Sequence, residues 1–271
     1  MPRKPDAIGP RASTAWEGEV AQWYDNLVGQ RGSSVQEQVI FPKTLRLARI
    51  SKGEFALDFA CGQGAFCVAL SKAGARVTGV DASAAMIQQA KRRFSKEAKF
   101  QVADARDVAR LFPEPVFDAI FCILAIQNID PMEPVFSVCA RALYPGGRLV
   151  VVMNHPAFRI PRQSNWGWDE ARKLVFRRVD RYVTPLKIPI QMRPGADPDL
   201  TTWSFHRPLE EYVKAISGAG LAVDAMEEWP SNKTSQVGSR ARAENRAREE
   251  FPLFIAIRAV KTGTVLKIPN A

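Results

Sequence analysis

Three successive apolar runs each end on residues suited to hold a ligand. No other feature constrains the fold of this chain as much. The first run, Phe55 to Phe59, leads into the small-residue turn Ala60-Cys61-Gly62-Gln63-Gly64 and then into a helical pattern. The second, Arg76 to Val80, ends at Asp81, 17 positions after Gly64. The third, Lys99 to Ala103, ends at Asp104. Strand and helix periods alternate through this region, which predicts an α/β fold with a parallel sheet. In such a sheet the carboxyl ends of the strands line one crevice. Glycines at 62 and 64 let the backbone approach a ligand without a Cβ in the way, and helix N–H groups point into the same space. A tight strand-to-helix turn with no ligand would also account for the glycines alone. The added acids narrow the choice, because an acid at the tip of the second strand can accept two ribose hydroxyls.

The same stretch resembles the class I S-adenosylmethionine-dependent methyltransferases. Their first motif is similar to Leu57-Asp58-Phe59-Ala60-Cys61-Gly62-Gln63-Gly64, their second-strand acid to Asp81, and their third-strand acid to Asp104 followed by Ala105. Phe117-Asp118-Ala119-Ile120-Phe121-Cys122 resembles the family's fourth-strand segment, and Leu143-Tyr144-Pro145-Gly146-Gly147-Arg148-Leu149 the turn before its fifth strand. The resemblance is strong from about Phe55 to Val152 and weak beyond. It implies a Rossmann-like, seven-stranded, mostly parallel sheet with helices on both faces, an antiparallel last strand and an insertion after the fifth strand. It also implies S-adenosyl-L-methionine as cofactor. The implied cofactor residues are Tyr24 on a covering helix, Asp58, the backbone of Ala60, Gly62 and Gly64, Asp81 with Ala82 at the ribose, Asp104 with Ala105 at the adenine, and Ile123 and Gln127 after the fourth strand. Asp58 also reads simply as a buried acid satisfied by backbone N–H groups.

The boundaries follow from pattern breaks. Residues 1–12 are Pro-rich and charged and are expected to form a disordered tail. Residues 13–52 read as a helical cap, opened by a capping box at Thr14 and bent or restarted at Pro42. Residues 53–154 carry the cofactor-binding core, 155–205 an insertion, and 206–271 the completion of the sheet. In the insertion, helix segments and Pro-bounded extended pieces are expected to alternate, and Tyr144-Pro-Gly-Gly reads as a turn. An excursion of this length should be functional, and it is dense in aromatics and arginine. It is read as a substrate-binding element containing Arg159, Arg162, Trp166, Trp168 and Tyr182.

The formal charge of +10 favours anionic partners without choosing among them. No apolar run approaches the roughly 20 residues that span a bilayer, so no membrane partner is expected. The basic N-terminus lacks the apolar stretch of a secretory signal. The cysteines, Cys61, Cys67, Cys122 and Cys139, lack CxxC spacing. They read as reduced thiols in a cytoplasmic protein, and no metal is expected. The chain has two histidines, His155 and His206, at either end of the insertion. Either could act as the base that an O-methyl transfer needs; a structural role is the plainer reading of each.

The leading functional expectation is methyl transfer to a small molecule, anionic by the arginines of the insertion. Oxygen is the first choice of acceptor atom, with nitrogen and carbon as alternatives. The competing reading is an RNA methyltransferase that uses the basic insertion and the Arg-rich stretch 240–248. A nicotinamide dehydrogenase would also use Gly62, Gly64 and Asp81, but Cys67 stands where its third glycine belongs. A cofactor-binding scaffold without turnover is the non-enzyme alternative.

Overall fold

The computed structural model describes residues 32–104, 108–191 and 201–263. The expected tail and the first cap helix, with Tyr24, lie outside these residues, as does Ala105. A π-helical stretch, Gln36–Ile40, runs without a break into α1 (Phe41–Ala48), and Pro42, which cannot donate an i→i−4 bond, stands just after it. Then follow β1 (Phe55–Phe59), α2 (Ala65–Lys72), β2 (Arg76–Asp81), α3 (Ala84–Phe94), β3 (Ala98–Val102), the short α4 (Val108–Leu111) and β4 (Phe117–Ile123). A 3-10 turn, Ile126–Asn128, leads to α5 (Glu133–Ala142) and β5 (Leu143–Asn154). Two hairpins come next, β6 (Ser164–Asp169) with β7 (Leu174–Val179) and β8 (Leu186–Gln191) with β9 (Thr201–His206). The chain closes with α6 (Leu209–Gly218), β10 (Leu221–Trp229), α7 (Ala241–Glu250) and β11 (Phe254–Lys261).

One sheet has the order β10-β11-β5-β4-β1-β2-β3. β1 to β5 run parallel to one another, and β11 is antiparallel to both β5 and β10. The apolar runs are explained by burial on both sides. Leu57, Phe59, Ile120, Cys122, Leu149 and Val151 pack on one face with Phe136 of α5 and Ile216 of α6. Their neighbours Ala56, Ala119, Phe121, Val150 and Val152 pack on the other with Phe41, Leu47, Phe66 and Leu70 of α1 and α2. Two arginines fasten the N-terminal helix to the sheet. Arg148 of β5 donates to the carbonyls of Ala48 and Arg49 and pairs with Glu54 at 2.6 Å. Arg258 of β11 donates to Leu47 O at 2.7 Å and pairs with Asp224. Both place positive charge at the carbonyl end of α1, where the helix dipole favours it.

Two local expectations are corrected. Tyr144-Pro-Gly-Gly is not a separate turn: it lies within β5 as a bulged excursion, because Phe117 pairs with Leu143 while Ala119 pairs with Arg148. The insertion has no helix among its described residues, since its apolar positions alternate with period two and pair as hairpins. Both hairpins, like α7, leave the sheet at the carboxyl ends of β1 to β5, the end where Asn154 pairs with Phe254 and Phe254 with Trp229.

Candidate active site

The turn after β1 is held in left-handed backbone: Ala60 has φ 56°, Gly62 φ 55° and Gly64 φ 86°. A Cβ added at Gly62 would meet nothing within 4 Å, so the turn is open on the crevice side. At Gly64 a Cβ would come within 2.9 Å of the Phe100 ring, so that glycine is required for packing. Asp81, at the end of β2, fixes this turn. One carboxylate oxygen accepts the Gly62 N–H at 2.8 Å and the other accepts the Ser83 N–H at 2.8 Å. Ser83 in turn caps α3 by accepting the Met86 N–H. A carboxylate has about four acceptor sites, so both oxygens keep capacity for ligand hydroxyls. Burial pushes the Asp81 carboxyl above its ordinary pKa, against the two N–H donors.

Asp58 lies beneath the turn, 2% exposed. It accepts the Cys67 S–H at 3.2 Å. Burial pushes its pKa to about 7; the Cys67 hydrogen bond opposes this and the charge of Asp81 adds to it. The same burial raises the Cys61 thiol to about 11 and the Cys67 thiol well above its usual range, so neither is a thiolate at neutral pH. Cys67, at the position of a dinucleotide fingerprint's third glycine, is therefore a buried donor to an acid. With its pKa at about 7, Asp58 is partly ionised at neutral pH, and that charge favours a cation above the turn over a pyrophosphate.

The other wall is the end of β4. Leu124 has φ 55°, and Gln127 in the 3-10 turn donates from Nε2 to its carbonyl at 2.7 Å. Gln127 Oε1 is buried with no partner among the described residues, so it has acceptor capacity to spare at the strand end. Ile123 is half-buried at the strand end, Ala82 is exposed beside Asp81, and Asp104 is half-buried past the end of β3. Open space over Gly62, the clamped Asp81, the acid below and the orphaned Gln127 oxygen together fit a cationic nucleoside such as S-adenosyl-L-methionine. When bound, that cofactor would supply an electrophilic methyl on a sulfonium.

The acceptor-side residues fall into two groups. His155 is fully engaged: its Nδ1 accepts the N–H groups of Ala157 and Phe158, and its Nε2 faces Glu228 on β10 at 2.7 Å. Its ring points toward the β10 edge, and burial lowers its pKa. His206, at the end of β9, has Nε2 at 2.6 Å from the Tyr182 carbonyl. That bond places the proton on Nε2 and leaves the lone pair on Nδ1. Tyr182 Oη accepts the Leu209 N–H, tying the two hairpins' connection to α6. β9 packs against the 3-10 turn that carries Gln127. Trp166 and Trp168 lie apart from this group, in a cavity of about 290 Å³ with Arg240, Glu244 and Arg248. Arg159 and Arg162 are not in its wall: Arg159 sits 5.0 Å over the Phe254 ring and Arg162 is exposed with φ 61°. Arg207 was not anticipated. It is 6% exposed, donates to Ile129 O at 3.1 Å and pairs with Asp130. No signal in the sequence marked it, because its burial comes from the distant post-β4 turn.

Comparison with known proteins agrees with this geometry. A family model described as a methyltransferase domain matches residues 57–151. A demethylmenaquinone methyltransferase of Tropheryma whipplei is 35% identical over 144 residues, 51% of this chain and 57% of that protein. A ubiquinone biosynthesis O-methyltransferase of Coxiella burnetii is 33% identical over 99 residues, 36% of this chain and 42% of that protein. The chain thus spans about half the length of these curated relatives. The crystal structure of an S-adenosylmethionine-dependent methyltransferase from Mesorhizobium loti superposes with a TM-score of 0.66 at 23% identity, over 84% of this chain and 98% of that one. That likeness concerns the fold, while the family match falls on the strands that build the crevice. Residues 57–151 therefore match a methyltransferase domain, carried on a fold shared with S-adenosylmethionine-dependent methyltransferases.

Proposed function

We propose that the chain transfers a methyl group from S-adenosyl-L-methionine to an oxygen of a small-molecule acceptor, held between the post-β4 turn and β9. One observation carries the reading. β9 buries its polar face, Thr202, Ser204 and His206, and leaves Trp203 and Phe205 half-exposed on the other. A strand packed only for stability would bury the aromatics. This inverted strand lies against the turn of Gln127.

The residues divide the work as follows. Methyl transfer from a sulfonium is an in-line displacement, and the protein's main task is to position the nucleophile and exclude water. Asp81 and the turn after β1 orient the cofactor. Gln127 Oε1 accepts from either ligand at the join. His206, kept neutral by burial that lowers its pKa, takes the acceptor hydroxyl proton on Nδ1 as the oxygen attacks. The Arg207 guanidinium has a buried Nη1 without a partner among the described residues and stabilises the charge developing on that oxygen. Tyr182 holds the histidine tautomer through its carbonyl. Arg159 and Arg162, exposed at the foot of the β6–β7 hairpin, would act on the acceptor only by steering it electrostatically. The names of the curated relatives support a small-molecule acceptor. The RNA reading is weaker, because Arg240 and Arg248 of the Arg-rich helix share a cavity with the acid Glu244 and two tryptophans.

The test is methyl transfer from labelled cofactor into a fractionated small-molecule extract, by wild type and by His206→Gln. A loss of roughly 100-fold or more in turnover with unchanged cofactor affinity is expected for removal of a general base. Unchanged turnover would remove His206 from the mechanism, and label entering only RNA would overturn the reading as a whole.

A further inference from the structure

The cavity between the β6–β7 hairpin and α7 is built as a binding site of its own. Trp166 and Trp168 are two residues apart on β6, so both indoles lie on the same side of the hairpin. Each indole is fixed. The Arg177 guanidinium stands 4.9 Å over Trp166 and is itself held by Phe158 O at 2.6 Å and Ser164 Oγ at 2.9 Å. Arg240 stands 4.6 Å over Trp168, whose Nε1 donates to Glu170, and Arg240 also lies 3.8 Å from that carboxylate. Across the cavity, Arg240, Glu244 and Arg248 follow at intervals of four along α7 and so share one helix face.

Two of the wall's charges lack an ion-pair partner among the described residues. Arg248 makes one side-chain hydrogen bond, from Nε to Ser235 Oγ at 3.3 Å, and no ion pair among the described residues. Glu244 makes no side-chain hydrogen bond or ion pair there. Oppositely charged residues one helical turn apart usually pair with each other; these two instead border the same cavity, beside a fixed aromatic wall. The volume of about 290 Å³ lies at the lower end of small-molecule pockets.

We propose that this cavity binds a flat aromatic zwitterion: an aryl group against Trp166 and Trp168, an anionic group on Arg248 and an ammonium on Glu244. A polyphosphate or nucleic acid is the poorer match, since Glu170 already faces Arg240 and Glu244 opposes Arg248. The site is separate from the cofactor crevice. Its walls are the hairpin after β5 and α7, which joins β10 to β11, and none of its lining residues belongs to β1, β2, β4 or the turns after them. The inference does not depend on the acceptor proposed above.

Calorimetric titration of the full chain with L-tryptophan, 3-indolepropionate and tryptamine tests it. L-tryptophan is expected to bind one to one and more tightly than either singly charged analogue, by about tenfold each, the scale of one charge-assisted hydrogen bond. Arg248→Gln should bring L-tryptophan down to the level of tryptamine, and Glu244→Gln down to that of indolepropionate. Saturating S-adenosylhomocysteine should leave the bound L-tryptophan in place. Absence of binding, equal affinity for all three probes, insensitivity to both substitutions, or displacement by S-adenosylhomocysteine would each overturn the proposal.

Discussion

Replacing Gly62 with alanine separates backbone strain from ligand contact. Gly62 has φ 55°, and an L-residue there costs about 1–2 kcal/mol, reduced by about 0.4–1 kcal/mol because alanine also restricts the unfolded chain. The added methyl meets no protein atom, so no packing term enters. A net loss of about 1 kcal/mol should lower the melting temperature by about 2–4 °C in a chain of this size. The effect on cofactor binding should be larger. The methyl points into the open side of the turn that the Asp81 carboxylate clamps. A ligand pushed away loses at least one charge-assisted hydrogen bond, about 1.5–3 kcal/mol, which is roughly a 10- to 150-fold weaker dissociation constant. Gly146 provides the control. It has φ 79° and equally open surroundings but lies in the β5 excursion, at the opposite end of the strand from the crevice. Gly146→Ala should reproduce the stability loss and leave affinity for S-adenosylhomocysteine unchanged. Calorimetry and thermal melts on both variants decide it. If Gly62→Ala keeps its affinity within twofold, or if both variants lose affinity alike, the turn is not the cradle described here.

Further outcomes follow from the acids of the crevice. Asp81→Ala removes an acceptor from two backbone N–H groups as well as from the ligand. It should weaken cofactor binding and also lower stability by about 1–3 kcal/mol, with denaturation reading the second effect; a melting curve identical to wild type would show that the clamp does not support the turn. Asp58 has its pKa raised to about 7 from an ordinary 3.8. Its protonated form belongs to the fold, so its stabilising contribution is complete below the unfolded value and is lost as pH rises through about 7. The shift corresponds to a change of about 4 kcal/mol over that window. Wild type should therefore lose stability relative to Asp58→Asn between about pH 4 and 7 and level off above, measured as the difference of two denaturation series. A difference that grows in the opposite direction would mean that Asp58 is held ionised.

Much of this was legible before any coordinates. β1 and α2 fall where apolar period and glycine spacing put them, because strands buried on both faces leave continuous apolar runs in the sequence. The insertion was misread for a physical reason. β9 buries Thr202, Ser204 and His206 and turns Trp203 outward, so hydropathy points to the wrong face. Trp166 and Trp168 were singled out for their residue type. Arg240 and Arg248 were read only as part of a basic stretch suited to RNA, not as neighbours of these indoles, since they come from a segment some 70 residues later. The orientation of His155 was equally out of reach, because it depends on Glu228, brought beside it only by the antiparallel β11.

The most direct measurement is a calorimetric titration of the chain with S-adenosylhomocysteine and, separately, with NAD. The buried Asp58, the Asp81 clamp and Cys67 in place of a third glycine predict one-to-one binding of S-adenosylhomocysteine and no heat from the dinucleotide. Tight binding of NAD with no binding of S-adenosylhomocysteine would contradict the assignment of this crevice.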